Sequence, residues 1–143
     1  MTDLVPLTRT LEKLISFDTT SRYSNLNIID WLEAQLLPLG ADCQRIENST
    51  GDKANLWARI GPDVPGGIVM SGHTDVVPID GQDWHTDPFQ LTEANGRLFG
   101  RGTSDMKSFI ALCIAFAPRF AALDLKRPIH FAFSFDEEVG CQG

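Results

Sequence analysis

A long apolar run is the first thing missing from this chain of 143 residues, and with it any segment able to span a bilayer as a helix. The opening Met1-Thr2-Asp3-Leu4 also lacks the basic residues and apolar stretch that mark a secretory leader. Basic residues are in short supply: 12 Lys and Arg stand against 19 Asp and Glu, a net charge of −7. Nucleic acid and anionic membrane surfaces are therefore repelled on average, and small molecules or metal cations are the expected partners. Cysteine is scarce and odd in number. Cys43, Cys113 and Cys141 show no paired spacing, so a reducing, cytoplasmic setting is expected. No internal repeat, low-complexity segment or linker divides the chain, which is one domain's worth of residues. What is present is ordinary for a globular protein: 43% hydrophobic and 22% charged residues.

Apolar periodicity predicts how these residues are organised. Leu7, Leu11, Leu14 and Ile15 recur at helical spacing between Pro6 and Phe17, and Asp18-Thr19-Thr20-Ser21 breaks the pattern. A second helix begins near Ser24, carries Ile28, Ile29, Leu32 and Leu36, and ends around Pro38 and Gly40, the glycine suited to a left-handed cap. After a polar turn from 48 to 53, Leu56, Ala58 and Ile60 alternate as a strand, and Ile68-Val69-Met70 reads as a strand buried on both faces. A hairpin of 89–92 with 97–99 turns at Asn95-Gly96. Thr103 or Ser104 is suited to cap a helix that carries Met106, Phe109, Ile110, Cys113, Ile114 and Ala117 and that Pro118 kinks or ends. Ile129, Phe131, Phe133 and Phe135 alternate in a last strand that runs into Asp136-Glu137-Glu138. Interleaved helices and strands predict the α/β class.

Three groups of residues at the ends of these elements carry candidate chemistry. His73 and Asp75 follow an apolar strand, where open α/β sheets place functional loops, and Asp75 is positioned to orient a metal-binding imidazole. Alone, the pair is a weak signal, and a polar turn with a surface histidine is the plainer reading. Gly100-Arg101-Gly102 begins a dinucleotide fingerprint, but Asp105 stands where its third glycine belongs and would compete with a pyrophosphate for the helix N-terminus. A carboxylate there suits bridging two cations, with the glycines allowing close approach. Of Glu137 and Glu138, one is expected to bind metal while its neighbour takes a proton from water. Asp136 adds a third negative charge, so the three acids repel unless a cation or solvent compensates them. His, Asp and Glu together are the nitrogen and oxygen ligands that Zn²⁺ accepts.

At Ser71 to Pro78, Trp84 to Phe89, Phe99 to Lys107 and Phe135 to Gly140 the chain closely resembles the acetylornithine deacetylase/succinyl-diaminopimelate desuccinylase family of two-zinc amidohydrolases, which includes glutamate carboxypeptidase and aminoacylase. The segments 103–109 and 135–141 look most like its acetylornithine-hydrolysing branch. The resemblance implies a zinc-peptidase-like three-layer domain with a mixed, largely parallel sheet flanked by helices. It further implies that His73 binds one zinc, Asp75 orients His73, Asp105 bridges both ions, Glu138 binds the second, and Glu137 is the general base and later the acid. Cobalt is a possible substitute for zinc, and the peptide after Asp105 is expected to be cis. The reaction implied is hydrolysis of N2-acetyl-L-ornithine to ornithine and acetate, a step of arginine biosynthesis. Desuccinylase and dipeptidase activities are the alternatives within the family.

The family uses another carboxylate and a late histidine as ligands, which the resemblance puts beyond Gly143, together with a smaller domain that mediates homodimerisation. Residues 1–143 are accordingly expected to be the N-terminal part of a catalytic domain, inactive in isolation. The rival expectation is a non-catalytic metal-binding or interaction fragment.

Overall fold

The computed structural model describes residues 5–143. Met1-Thr2-Asp3-Leu4, on which the expectation of no leader rests, lies outside the described residues. Among the described residues no helix is long and apolar enough to cross a membrane.

Helices α1 (Val5–Ile15) and α2 (Leu26–Leu36) bury one stripe each, Leu11, Leu14 and Ile15 on the first and Ile28, Ile29, Leu32 and Leu36 on the second. A 3-10 turn at Leu37–Leu39 closes α2, and Gly40 ends it in the expected left-handed conformation at φ +77°. Then follow β1 (Asp42–Glu47), β2 (Ala54–Ile60), β3 (Ile68–His73), the hairpin strands β4 (Thr92–Ala94) and β5 (Arg97–Phe99), α3 (Lys107–Ala121) and β6 (Ile129–Ser134).

Four strands form one sheet in the order β1-β2-β6-β3. The α/β class with a mixed sheet and flanking helices is thus borne out, but among the described residues the sheet is not largely parallel. β1 with β2 and β2 with β6 are antiparallel; β3 with β6 is parallel. The short 48–53 turn allows β1 and β2 only an antiparallel return, whereas α3 supplies the long crossover that parallel β3 and β6 require.

All three helices share one apolar cluster with Leu56, Ala58 and Ile60 of β2 and Ile129, Phe131 and Phe133 of β6. Phe131 and Phe133, ring centroids 6.0 Å apart, are buried at its centre, each contributing roughly 1.5–3 kcal/mol by burial. The sheet's other face, with Trp57 against His130 at a centroid distance of 4.9 Å and tilted by 37°, carries no helix of the described residues.

Several local expectations are corrected. β3 is not buried on both faces: as an outer strand paired only with β6, it leaves Ile68 and Val69 62% and 52% exposed. β1 carries no apolar pattern in the sequence, because every residue in it is exposed or half-buried. The first hairpin arm begins at Thr92 rather than Phe89, while Asn95 and Gly96 turn it at φ 53° and 69° as expected. Neither Thr103 nor Ser104 caps α3. Met106 holds that position without a side-chain bond, since the Thr103 hydroxyl donates to the Gly100 carbonyl at 3.0 Å. Pro118 does not end α3, which continues to Ala121; the proline is exposed on the last turn, where water can satisfy an unpaired carbonyl.

Candidate metal centre

Parallel pairing of β3 with β6 puts His73 opposite Ser134, so the loops leaving both strands emerge side by side. The segment before α3 reaches the same end, where open α/β sheets place their chemistry. His73 is 5% exposed. Its Nδ1 lies 3.0 Å from the Asp75 carbonyl, an acceptor, so Nδ1 carries the proton and Nε2 is the nitrogen left for a ligand. Nε2 faces Asp105 Oδ1 at 2.9 Å and Glu137 Oε2 at 3.7 Å. Burial pulls the His73 pKa down, but the Asp105 bond, the Asp75 carbonyl and both carboxylates outweigh it, and the net shift is upward.

Asp75 has a larger role than orienting the ring. Its carboxylate is 3.4 Å from His73 Nδ1, and it accepts the backbone N–H groups of Glu137 and Glu138 at 3.1 and 3.2 Å. Ser21 donates its hydroxyl to the same carboxylate at 2.7 Å. One buried carboxylate therefore joins the histidine loop, the glutamate turn and the segment after α1. Beside it, Thr19 bonds the Thr74 carbonyl, and Thr20 bridges Val76.

His73, Glu137 and Glu138 each offer a ligand atom, all within 4.8 Å of one another. Ligand atoms about 2.0–2.1 Å from a tetrahedral zinc stand roughly 3.3 Å apart, so the His73 contacts of 2.9 and 3.7 Å bracket what an ion needs. The donor set fits zinc. Asp105 touches His73 but falls outside the three-residue cluster, and its side chain is 72% exposed. Burial first, then the charge on Asp105, raises the pKa of Glu138, with His73 opposing. The Asp105-Met106 peptide is cis, as the resemblance implies. A cavity of about 280 Å³ lined by Val77, Arg101, Thr103 and Ser104 reaches both Asp105 and Glu138.

The glycines before Asp105 serve packing. A Cβ on Gly100 would stand 2.9 Å from Ile15 Cγ2, and one on Gly102 2.8 Å from Val76 Cγ1. Gly102 also lies against the stem of Lys107, a fully buried lysine whose Nζ donates to the Phe17 carbonyl at 2.7 Å. Burial pushes the Lys107 amine down to about 7, with Asp18 opposing. Sequence reasoning missed Ser21, Lys53 and Lys107. The polar Thr19-Thr20-Ser21 cluster that ends the first helical pattern is the one local signal of this support.

Residues 69–143, just over half of the chain, match the profile of peptidase family M20/M25/M40. The chain belongs to that family. Its M20 relatives include acetylornithine deacetylase of Myxococcus xanthus, 38% identical across 100% of this chain and 38% of that protein. Acetylornithine deacetylase of Pasteurella multocida is 37% identical over 90% of this chain and 34% of its own length. Human carnosine dipeptidase 1 superposes with a TM-score of 0.79 at 28% identity, over 95% of this chain and 33% of that one. The M20 metallo-carboxypeptidase of Sulfolobus solfataricus, 22% identical over 94% of this chain and 31% of its own, has the same fold with a TM-score of 0.75. The chain thus spans about a third of the length of the relatives it matches. M20 proteins are metal-dependent hydrolases, typically of zinc, which agrees with the donor set gathered at His73.

Proposed function

We propose that residues 1–143 are the N-terminal part of an M20 catalytic domain that, in a full-length enzyme, hydrolyses N2-acetyl-L-ornithine to L-ornithine and acetate. The observation that carries this reading is the convergence of His73, Asp105, Glu137 and Glu138 at one end of the parallel β3–β6 pair. His73 and Glu138 would hold one metal ion each, with Asp105 between them. Bound there, zinc or cobalt supplies Lewis acidity towards the acyl oxygen and the attacking water.

Glu137, about half exposed at the open side of the cluster, takes a proton from that water as its oxygen attacks the acyl carbon. The same carboxyl returns the proton to the nitrogen as the C–N bond breaks, leaving acetic acid and a neutral amine, and the second water proton then passes from the acid to the amine to give acetate and ammonium. Asp75 keeps Nδ1 protonated through its carbonyl and holds the two glutamates through their amides. The cavity beside Asp105 and Glu138 is a route for the acyl amino acid. Among the described residues only one nitrogen donor stands in the cluster, and we assign the remaining carboxylate and histidine ligands to residues outside this chain, which by itself is inactive. The working form is a cytoplasmic homodimer with two ions per site.

The dipeptidase neighbour supports a second reading, cleavage of a dipeptide by the same residues. Turnover of N2-acetylornithine, N-succinyl-diaminopimelate and a dipeptide by the full-length enzyme separates these, with acetylornithine expected fastest by at least tenfold. Glu137→Gln is expected to lower that turnover by about 10²–10⁴; a variant as active as the parent would remove Glu137 as the base.

A further inference from the structure

Asp136 is the third acid of the turn, and neither its metal chemistry nor its proton chemistry is needed above. It sits at φ +52°, left-handed for a non-glycine residue, directly between β6 and the two glutamates. Its neighbours Glu137 and Glu138 carry like charge, so an uncompensated carboxylate here would push the turn apart. The structure supplies the compensation from far away in the chain. Lys53, the residue before β2, donates from Nζ to both Asp136 oxygens at 2.6 Å and to the Ser21 carbonyl at 2.6 Å. Both partners of the ion pair are 12% exposed, so the contact is shielded from solvent.

We propose that Lys53 is a positioning residue for the general base: through Asp136 it fixes the direction in which the chain leaves β6, and so where Glu137 and Glu138 point. The turn is held from two sides. Asp75, itself bonded by Ser21 Oγ, grips the amides of Glu137 and Glu138, while Lys53 grips the carboxylate of Asp136. Ser21 belongs to both grips, with its hydroxyl on Asp75 and its carbonyl on Lys53. Loss of Lys53 leaves a buried carboxylate without its partner, next to the base, and frees the turn to rotate towards solvent. Proton transfer tolerates little misplacement of the acceptor, whereas substrate binding relies on other surfaces, so the effect falls on kcat.

This inference rests on Glu137 being the base, and the test separates the two. In the full-length metal-loaded enzyme, kcat and KM are measured for Lys53→Met, Lys53→Arg, Asp136→Asn and Glu137→Gln, with the melting temperature of each. Lys53→Met and Asp136→Asn are expected to lower kcat at least tenfold with KM within twofold, and Lys53→Arg to retain a third or more of kcat. Should Lys53→Met not fold, the near-isosteric Asp136→Asn reads the same contact. Wild-type kcat in the Met and Asn variants beside an inactive Glu137→Gln overturns the positioning role alone. So does a loss that Arg does not rescue and that follows the fall in melting temperature. An active Glu137→Gln overturns the base assignment and this inference with it.

Discussion

Gly102→Ala should damage the centre through backbone strain and packing, because nothing chemical is removed. Gly102 has φ +86° and is buried between Val76 and the Lys107 stem. An L-residue in the left-handed region costs about 1–2 kcal/mol. The added Cβ would also stand 2.8 Å from Val76 Cγ1 and 3.2 Å from Lys107 Cδ, closer than ordinary van der Waals contact. Val76 is fully buried and stiff about χ1, so it cannot swing away, and overpacking of this kind costs about 1–3 kcal/mol. The sum is about 2–5 kcal/mol, read by urea unfolding of the full-length metal-free protein. Val76→Ala removes the clashing methyl but not the backbone strain. The double variant should therefore recover about 1 kcal/mol or more relative to the sum of the two single changes. A Gly102→Ala loss under 0.5 kcal/mol, or strict additivity with Val76→Ala, would refute this packing account of the loop that bears Asp105.

Ser21→Ala removes a buried hydroxyl donor from the Asp75 carboxylate and is expected to cost about 1.5–3 kcal/mol in urea unfolding; a change under 0.5 kcal/mol would contradict the assigned bond. Lys107 gives a pH signature. Its folded pKa of about 7 lies below the ordinary 10.5, so between these values the unfolded chain holds the extra proton and stability rises with pH, by at most about 1.4 kcal/mol per pH unit. Half-buried Cys43 and buried Cys113, raised to about 11 from 9.0, act oppositely as pH nears and passes 9, so metal-free unfolding is compared between pH 7.5 and 8.5. Lys107→Met should flatten the rise, and equal slopes in both proteins would show that this amine is not the source.

The elements that line the core were legible in the sequence because periodicity records burial. Leu56, Ala58 and Ile60 alternate with half-buried neighbours, and Phe131 and Phe133 do the same, as the structure repeats. β1 was hidden for the converse reason: an outer strand without a buried side chain leaves no pattern. The apolar run of β3 misled because hydrophobicity states a preference for burial and not whether a neighbour is present to provide it. His73, Asp75, Asp105, Glu137 and Glu138 could be picked out because each sits at or just beyond the end of an apolar element. Their supports could not. Ser21 lies 54 residues from Asp75 and Lys53 lies 83 from Asp136, and no local pattern ties a lysine in a polar turn to an acid at the end of another strand.

The central claim, that His73, Asp105 and Glu138 are metal ligands with Glu137 beside them, is tested most directly by an anomalous difference map at the zinc edge from crystals of the full-length protein. Two peaks are expected, one about 2.0–2.1 Å from His73 Nε2 and one about 2.0–2.2 Å from a Glu138 oxygen, with Asp105 contacting both. Zinc bound only elsewhere, or a fully loaded site in which His73 keeps Asp105 as its sole partner, would contradict it.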